Sequence, residues 1–488
     1  MRFRNDPEGT RLPVKLDTTT NGEFAPIPLA PVHRRARRLA HDAAASNARC
    51  LGVSRRAFLV SACGAASTLL AMNAAYGASG RRGGHYELPA DAALELPVAR
   101  SALDKNEFIF DIQGHFVNPT GAWTRLLPAG AQPLKGFAAN NACIAAAPAA
   151  GREYLQCLGA DAFIKDVFLD SDTDLIVLSF VPSTRRGQPL TIEEAAATAR
   201  IVEKMDGTHR IFLHGRVNPN QQGDVEDMDM LAERYPIAAW KTYTQWGPNG
   251  KGFFLDDDVG LRFIEKARRL GIRNIAVHKG LPFGPQSYEH STCADVGRVA
   301  KRFPDVNFLI YHSGFVAEKP ERAYDPRRTD GIDSLVTSVR ENGVRPGSNV
   351  YAELGSTWRF LMRDPDSASH ALGKLLVHVG EDNVLWGTDS IWYGSPQDQI
   401  QAFRTFQIAD ELAAAHSYPK ITPAIRAKVF GRNALRVYAV APEVVRKHVA
   451  HDRVTRERDA YRERADPAFV TYGPKTRREF LALKAWGS

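Results

Sequence analysis

The chain has 488 residues, 44% hydrophobic, 24% charged and 9% aromatic, with 38 Gly and 29 Pro; this usage excludes a mainly disordered, collagenous or polytopic membrane chain. At roughly 100–200 residues per domain, the length suits about two to four domains or one large barrel with extensions. The formal charge of +8 sits at the start: residues 1–56 hold 11 Lys and Arg against 5 Asp and Glu, 57–80 hold none, and the remaining 52 basic and 50 acidic side chains give no electrostatic footprint for a nucleic acid.

In chain order, the first unit is a leader over residues 1–80. Ser54-Arg55-Arg56-Ala57-Phe58-Leu59 precedes an uncharged stretch, 57–80, rich in Ala, Ser and Gly. It resembles a twin-arginine export signal. The stretch is long enough to cross a bilayer, but small residues make it weakly apolar, so a signal cleaved near Ala78 is expected rather than a permanent span. Recognition by the twin-arginine translocation machinery and a periplasmic location follow. The alternative is an Ala-rich core helix preceded by two surface arginines. Cys50 and Cys63 leave with such a leader. Cys143, Cys157 and Cys293 remain, an odd set without C-x-x-C spacing, and indicate neither a disulfide framework nor a cysteine metal site.

From residue 107 onward, short apolar β-branched runs alternate with segments of helical period, which argues for parallel strands joined by crossover helices. Strands are expected at 108–115, 174–181, 209–217, 237–243, 274–279, 307–313, 349–355 and 383–389. Helices are expected at 191–205, 256–270, 292–302 and 396–415. These units predict an α/β fold, a (β/α)₈ TIM barrel over 107–438, with 118–170 inserted as a cap. An open doubly wound sheet is disfavoured, because no Gly-x-Gly-x-x-Gly follows the first strand and no phosphate-binding loop appears. Residues 439–488, with alternating charges from Arg446 to Arg464, read as a charged helical extension, either a solvated arm or a strap in a homodimer.

Three of the 14 histidines stand out. His115, His278 and His312 each close an expected strand, as does Asp389, and the C-terminal rim of a barrel is where catalytic groups gather. Asp111, Gln113 and His115 are spaced by two, so regular alternation sends all three to one face. Neutral imidazoles and a carboxylate on separate rigid strands can meet about 2.0–2.2 Å from one divalent ion and leave a position open for water.

Phe110-Asp111-Ile112-Gln113-Gly114-His115, Ala276-Val277-His278-Lys279-Gly280, Ile310-Tyr311-His312-Ser313-Gly314 and Leu385-Trp386-Gly387-Thr388-Asp389-Ser390 resemble, in type and order, the motifs of the amidohydrolase superfamily. The chain is most similar to the amidohydrolase-related branch that includes aminocarboxymuconate-semialdehyde decarboxylase, and the stretch from Phe430 to Tyr438 resembles that branch's closing helix. The resemblance implies that His115, His278 and Asp389 hold a metal while His312 acts on water or substrate. It also exposes a departure. The family offers His-x-His or Glu-x-His on the first strand, and Gln113 stands where the first of that pair belongs. A Gln carbonyl oxygen carries no charge, so it either ligates weakly, favouring zinc less and a manganese-like ion more, or orients a neighbour.

Lys241 closes the fourth strand and Arg216 the third; each suits a substrate carboxylate or a structural ion pair. Glu353 on the seventh strand is a candidate to orient a ligand, and Trp246 and Trp392 to wall the pocket. The resulting expectation is a hydrolase using one Zn or Mn ion on a small carbonyl-bearing or carboxylated substrate, with Asp389 accepting a proton and His312 assisting the leaving group. Non-oxidative decarboxylation on the same barrel, or a non-catalytic periplasmic binding protein, are the alternatives.

Overall fold

The computed structural model describes residues 3–104, 107–127, 153–206, 209–282, 287–443, 445 and 449–484. In chain order the strands are β1 (Gly84–Tyr86), β2 (Phe110–Gly114), β3 (Leu175–Leu178), β4 (Ile211–Arg216), β5 (Ile237–Tyr243), β6 (Asn274–His278), β7 (Asn307–Tyr311), β8 (Val350–Glu353), β9 (Val384–Leu385) and β10 (Phe406–Ile408). Strands β2 to β9 form one eight-stranded sheet in sequential order, all neighbours parallel. The sheet nearly closes on itself: Ile112 N–H donates to the Trp386 carbonyl and Asp389 N–H to the Gln113 carbonyl, each at 3.0 Å. This is the TIM barrel expected, with each of the eight expected strand segments containing one observed strand.

Inside the barrel, Phe110, Ile112, Leu175, Val177, Ala239, Ala276, Leu309, Tyr311, Tyr351 and Leu385 pack as one cluster, closed by Ala434, Val437 and Tyr438. Filled layers of side chains make such a barrel a core rather than a pore. The outer faces of the strands meet helices such as Asp258–Arg269, which buries Phe263, Ile264 and Ala267 and ends in Lys266, Arg268 and Arg269. Basic residues in a last turn complement the helix dipole.

The expected helix at 396–415 is interrupted. Gln397–Thr405 and Asp410–His416 are helical, but β10 lies between them and pairs antiparallel with β1. Tertiary pairing overrides local period here: Phe406 is fully buried, 5.9 Å from the Tyr86 ring. Of the insertion at 118–170, residues 128–152 lie outside the described residues. The turns that follow, Glu153–Leu158, Ala160–Ile164 and Lys165–Leu169, bury Leu155, Leu158, Phe163 and Phe168 against Ile176, Leu178 and Trp392.

The segment read as a leader is folded onto the barrel. Helix α1 (Pro31–Cys50) buries Val32, Ala36, Ala40, Ala44 and Ala48, a stripe repeating every four residues, and packs against α3 (Ala62–Ala78), itself Ala-rich and buried on most sides. Small side chains let the two helices approach closely. Between them, α2 (Arg55–Val60) carries the arginine pair. Arg56 is only 1% exposed: its guanidinium donates to Asp466 Oδ1 at 3.3 Å and to the Pro467 carbonyl, and lies 4.7 Å above the Phe469 ring. Among the described residues, no helix is long and apolar enough to cross a membrane. The alternative of an Ala-rich core helix describes this arrangement, except that Arg56 is inside.

The C-terminal extension is more than a solvated arm. Helix Arg453–Arg462 is mostly exposed, as its alternating charges imply, with Val454 buried and Thr455, Arg458 and Tyr461 partly so, but Val470, Thr471 and Tyr472 are at most 5% exposed. Tyr472 donates to Asp166 Oδ2 at 2.7 Å, and the N–H groups of Tyr472 and Gly473 donate to the Trp392 carbonyl. Cys157 is disulfide-bonded. The sequence spacing gave no sign of this, because spacing reports local pairs and a disulfide joins positions that folding brings together.

Candidate metal centre

The strand-end residues emerge from strained turns. His312 (φ 64°), Ser313 (φ 54°), Ser356 (φ 52°) and Asp389 (φ 60°) all adopt left-handed backbone in the turns that follow β7, β8 and β9. Each such residue costs about 1–3 kcal/mol and persists where surrounding contacts impose it. Here Glu353 does much of that: Oε2 accepts His312 N–H at 3.0 Å, its carbonyl accepts Ser313 Oγ at 2.8 Å, and Oε1 accepts Gly355 N–H. Glu353 fits because Gly387 has no side chain; a Cβ there would lie 1.6 Å from Glu353 Oε1. Burial pushes the Glu353 carboxyl up to about 8.

One group of donors surrounds Asp389. His115 Nε2 is 3.2 Å from Asp389 Oδ1, and Gln113 Nε2 donates to the same oxygen at 3.2 Å while standing 3.5 Å from His115 Nε2. Ser356 Oγ donates to Asp389 Oδ2 and lies 2.8 Å from Tyr393 Oη. Burial works to raise the Asp389 pKa, but His115, then His312 and Ser356, outweigh it and hold the carboxyl well below its usual range. Simple alternation along β2 fails at this point. Its register shifts between Asp111 and Gly114, so Phe110 and Ile112 join the inner cluster while Asp111 is taken up by Thr388 and the Gln113 N–H.

A second group contains His278 and His312, whose rings meet edge to face at 4.5 Å. His278 Nε2 lies 3.1 Å from the Gly280 carbonyl and His312 Nδ1 lies 2.6 Å from the Gly355 carbonyl. A carbonyl accepts, so each of these nitrogens carries the proton and the opposite nitrogen presents a lone pair. Facing those lone pairs is Glu23, from the segment read as a leader: Oε1 lies 3.4 Å from His278 Nδ1 and Oε2 lies 3.9 Å from His312 Nε2. The three donor atoms fall within 4.8 Å of one another. Asn21 Nδ2 joins the two groups, donating to Asp389 Oδ2 at 2.8 Å and to Glu23 Oε2.

These residues fit a divalent cation. Burial lowers the pKa of His312 to about 4 and that of His278 well below 6.5, so both rings are neutral and able to ligate at neutral pH. Among the described residues, the buried His312 Nε2 and Gln113 Oε1 have no hydrogen-bond partner, and a cation would satisfy such orphaned acceptors. Of the ligand set read from the sequence, His115, Gln113 and Asp389 are in direct contact; His278 is joined to them through Glu23 and Asn21. His312 stands with the ligand candidates, beside His278. Glu23, Asn21 and Ser356 carry no sequence signal: the first two lie in the presumed leader, and the third in no motif.

Lys241 is fully buried. Its Nζ has no hydrogen-bond partner among the described residues, and it lies 3.6 Å over the Tyr311 ring and 4.7 Å from that of Tyr243. Burial lowers its pKa to about 7. Arg216 is engaged elsewhere, donating to Asp224 Oδ2 at 3.1 Å and to the Ser183 carbonyl at 3.2 Å. Of the two roles open to it, pairing with a rim carboxylate is the one observed. Trp392 stacks on His115 at 5.8 Å, and Trp246, partly buried, takes its place in the loop after β5.

Several solved structures are similar to this chain. The 5-carboxyvanillate decarboxylase of Novosphingobium aromaticivorans, determined with bound manganese, shares 11% identity over 69% of this chain and 98% of its own, with a TM-score of 0.43. A probable 2-pyrone-4,6-dicarboxylic acid hydrolase from Acinetobacter baumannii shares 12% over 68% and 99%, with a TM-score of 0.41. The 2,6-dihydroxybenzoate decarboxylase from Rhizobium shares 12% over 68% and 99%, with a TM-score of 0.38. No curated protein matches the chain. A family model described as amidohydrolase matches residues 111–440, most of the chain and nearly the whole barrel, and the chain therefore belongs to the amidohydrolase family.

Proposed function

We propose that the protein is a hydrolase dependent on one divalent ion, Zn or Mn, acting on a small carbonyl-containing or carboxylated substrate. The observation that carries this reading is the gathering, at the C-terminal rim of the barrel, of the His115–Asp389 pair and the His278–His312 pair, joined through Asn21 and Glu23. When bound, the ion lowers the pKa of a water toward about 7 and polarises the substrate carbonyl. Asp389, kept ionised, accepts the proton of the attacking water, and His115 and Ser356 fix its two oxygens. His312, with Nδ1 committed to Gly355, has Nε2 left for ion or substrate. Lys241 supplies a buried cation for a developing oxyanion or a substrate carboxylate. Asn21 and Glu23 of the N-terminal segment lie against these residues.

Metal analysis of the purified protein, followed by chelation and add-back of Zn or Mn during turnover of a lactone and amide panel, tests the proposal. Activity that disappears on chelation and returns with the ion supports it; metal absent from wild type and from a His278→Ala control alike favours the non-catalytic binding protein. A second reading, non-oxidative decarboxylation, is favoured by Lys241, whose buried Nζ, without a hydrogen-bond partner among the described residues, suits a carboxylate about to leave. Release of carbon dioxide from carboxylated aromatic rings separates it from hydrolysis.

Export by the twin-arginine route is a further part of the proposal. The Cys157 disulfide accords with an oxidising compartment such as the periplasm, while the buried Arg56 requires α2 to be displayed before it packs. Fractionation of cells carrying wild type and an Arg55→Lys, Arg56→Lys variant is the check: wild-type protein confined to the cytoplasm ends this part.

A further inference from the structure

We infer that Glu23, from the N-terminal segment outside the barrel, is a ligand of the metal centre and supplies the negative charge that Gln113 lacks. The inference rests on the proposed metal dependence and adds a residue that no barrel motif contains. Its starting point is an electrostatic mismatch. Two imidazole nitrogens bearing lone pairs, His278 Nδ1 and His312 Nε2, face the two oxygens of one carboxylate at 3.4 and 3.9 Å. Lone pairs opposed to lone pairs in a buried place repel unless a proton or a cation lies between them, and the three donor atoms fall within 4.8 Å of one another, close enough to share one ion. Donor atoms bound to one ion at about 2.0–2.2 Å stand roughly 3–4 Å apart, which is the spacing of these pairs.

Charge points the same way. With Gln113 neutral and the imidazoles neutral, Asp389 alone offers a single negative charge to a divalent ion; Glu23 brings the balance to two, and a hard carboxylate oxygen suits Zn or Mn. The segment is also built to hold Glu23 in place. Asn21 Oδ1 accepts the Glu23 N–H at 3.1 Å, and Asn21 Nδ2 holds its carboxylate. On one side Thr20 N–H donates to the Pro474 carbonyl at 3.0 Å and Thr19 meets Thr471 at 2.7 Å; on the other the Phe24 ring packs edge-on against Phe360 at 4.8 Å. A ligand anchored on both sides loses little entropy when it binds.

Mn²⁺ binding to the full-length protein, followed by electron paramagnetic resonance of free and bound ion, tests this with wild type, Glu23→Gln, Glu23→Ala and His278→Ala, each checked for folding by circular dichroism. Glu23→Gln keeps the shape and removes the charge; the expected result is Mn²⁺ binding at least roughly tenfold weaker, the loss that even outer partners of a ligand incur, with an altered bound-ion spectrum. Wild-type affinity in both Glu23 variants, alongside loss in His278→Ala, overturns the inference and leaves the metal enzyme standing; faster turnover in Glu23→Ala would then mark the segment as an occluding strap. Failure of wild type itself to bind Mn²⁺ or Zn²⁺ removes the metal reading and this one together. Intact mass of the purified protein completes the test, since a chain lacking residues 1–80 that binds the ion as tightly as the full-length chain also overturns it.

Discussion

Asp389 shows how a single side chain is prepared for its role: it is buried, in left-handed backbone, and accepts hydrogen bonds from Gln113, Ser356 and Asn21. Replacing it by Asn keeps the volume but removes the base, and turnover is expected to fall by roughly 10²–10⁴ with the fold retained, as measured by steady-state kinetics beside circular dichroism. A substrate-independent test concerns Gly387. An alanine methyl there meets Glu353 Oε1 at 1.6 Å, and Glu353 holds the His312 and Ser313 backbone. Gly387→Ala is expected to lower stability in urea by about 1–3 kcal/mol, the usual cost of overpacking, and to impair metal binding through His312. Unchanged stability would mean that Glu353 moves aside freely.

Among the elements, helix Pro365–Leu375 is tied to helix Gly331–Glu341 by a buried charge. Lys374 Nζ donates to Asp333 and to Glu321, each at 2.5 Å, and all three side chains are at most 1% exposed. Lys374→Met leaves two carboxylates buried together, with Arg328, 3.6 Å from Asp333, the remaining cation paired to them among the described residues. A loss of about 3–5 kcal/mol is expected, read from the urea midpoint. The β1–β10 pair shows a different relation between elements: residues 406–408 continue a helical pattern in sequence, yet pairing with Gly84–Tyr86 draws them into a strand.

Across the whole molecule, the N-terminal segment and the C-terminal extension lock one another onto the barrel. Lys15 pairs with Asp398 at 3.0 Å, Asp17 with Arg359 at 3.0 Å and Thr471, and Arg210, just before β4, holds both oxygens of Asp452 at 2.6 Å. Burial would raise the Asp17 pKa, but Arg359, then Lys475 and Thr471, bring it down from 3.8 to about 2. A depressed carboxylate pKa contributes stability that is fully present above the unfolded value and is lost as pH falls toward the folded one. The Asp17 side chain is 29% exposed, which reduces the contribution to about 1–2 kcal/mol. The stability difference between wild type and Asp17→Asn should therefore be constant above about pH 5 and shrink between about pH 4 and 2; a difference independent of pH would place the contribution in shape rather than charge.

The sequence alone determined the barrel and most of its rim. Parallel strands buried on both faces read as short apolar runs, and the residues that close them fall at strand ends whatever the loops do, so His115, His278, His312 and Asp389 were legible by position. Local pattern has no access to contacts between segments hundreds of residues apart. The apolar, small-residue stretch at 57–80 has the same composition in an export signal and in a packed helix, so composition alone says nothing of what it packs against. Tertiary structure decided that α3 lies in the core, that Arg56 faces Asp466 and Phe469, that Arg216 belongs to Asp224, and that a slip in β2 separates Asp111 from Gln113. It also decided that Asn21 and Glu23 stand against Asp389, His278 and His312, because the free energy that places them there comes from anchors at Thr471, Pro474 and Phe360, far along the chain.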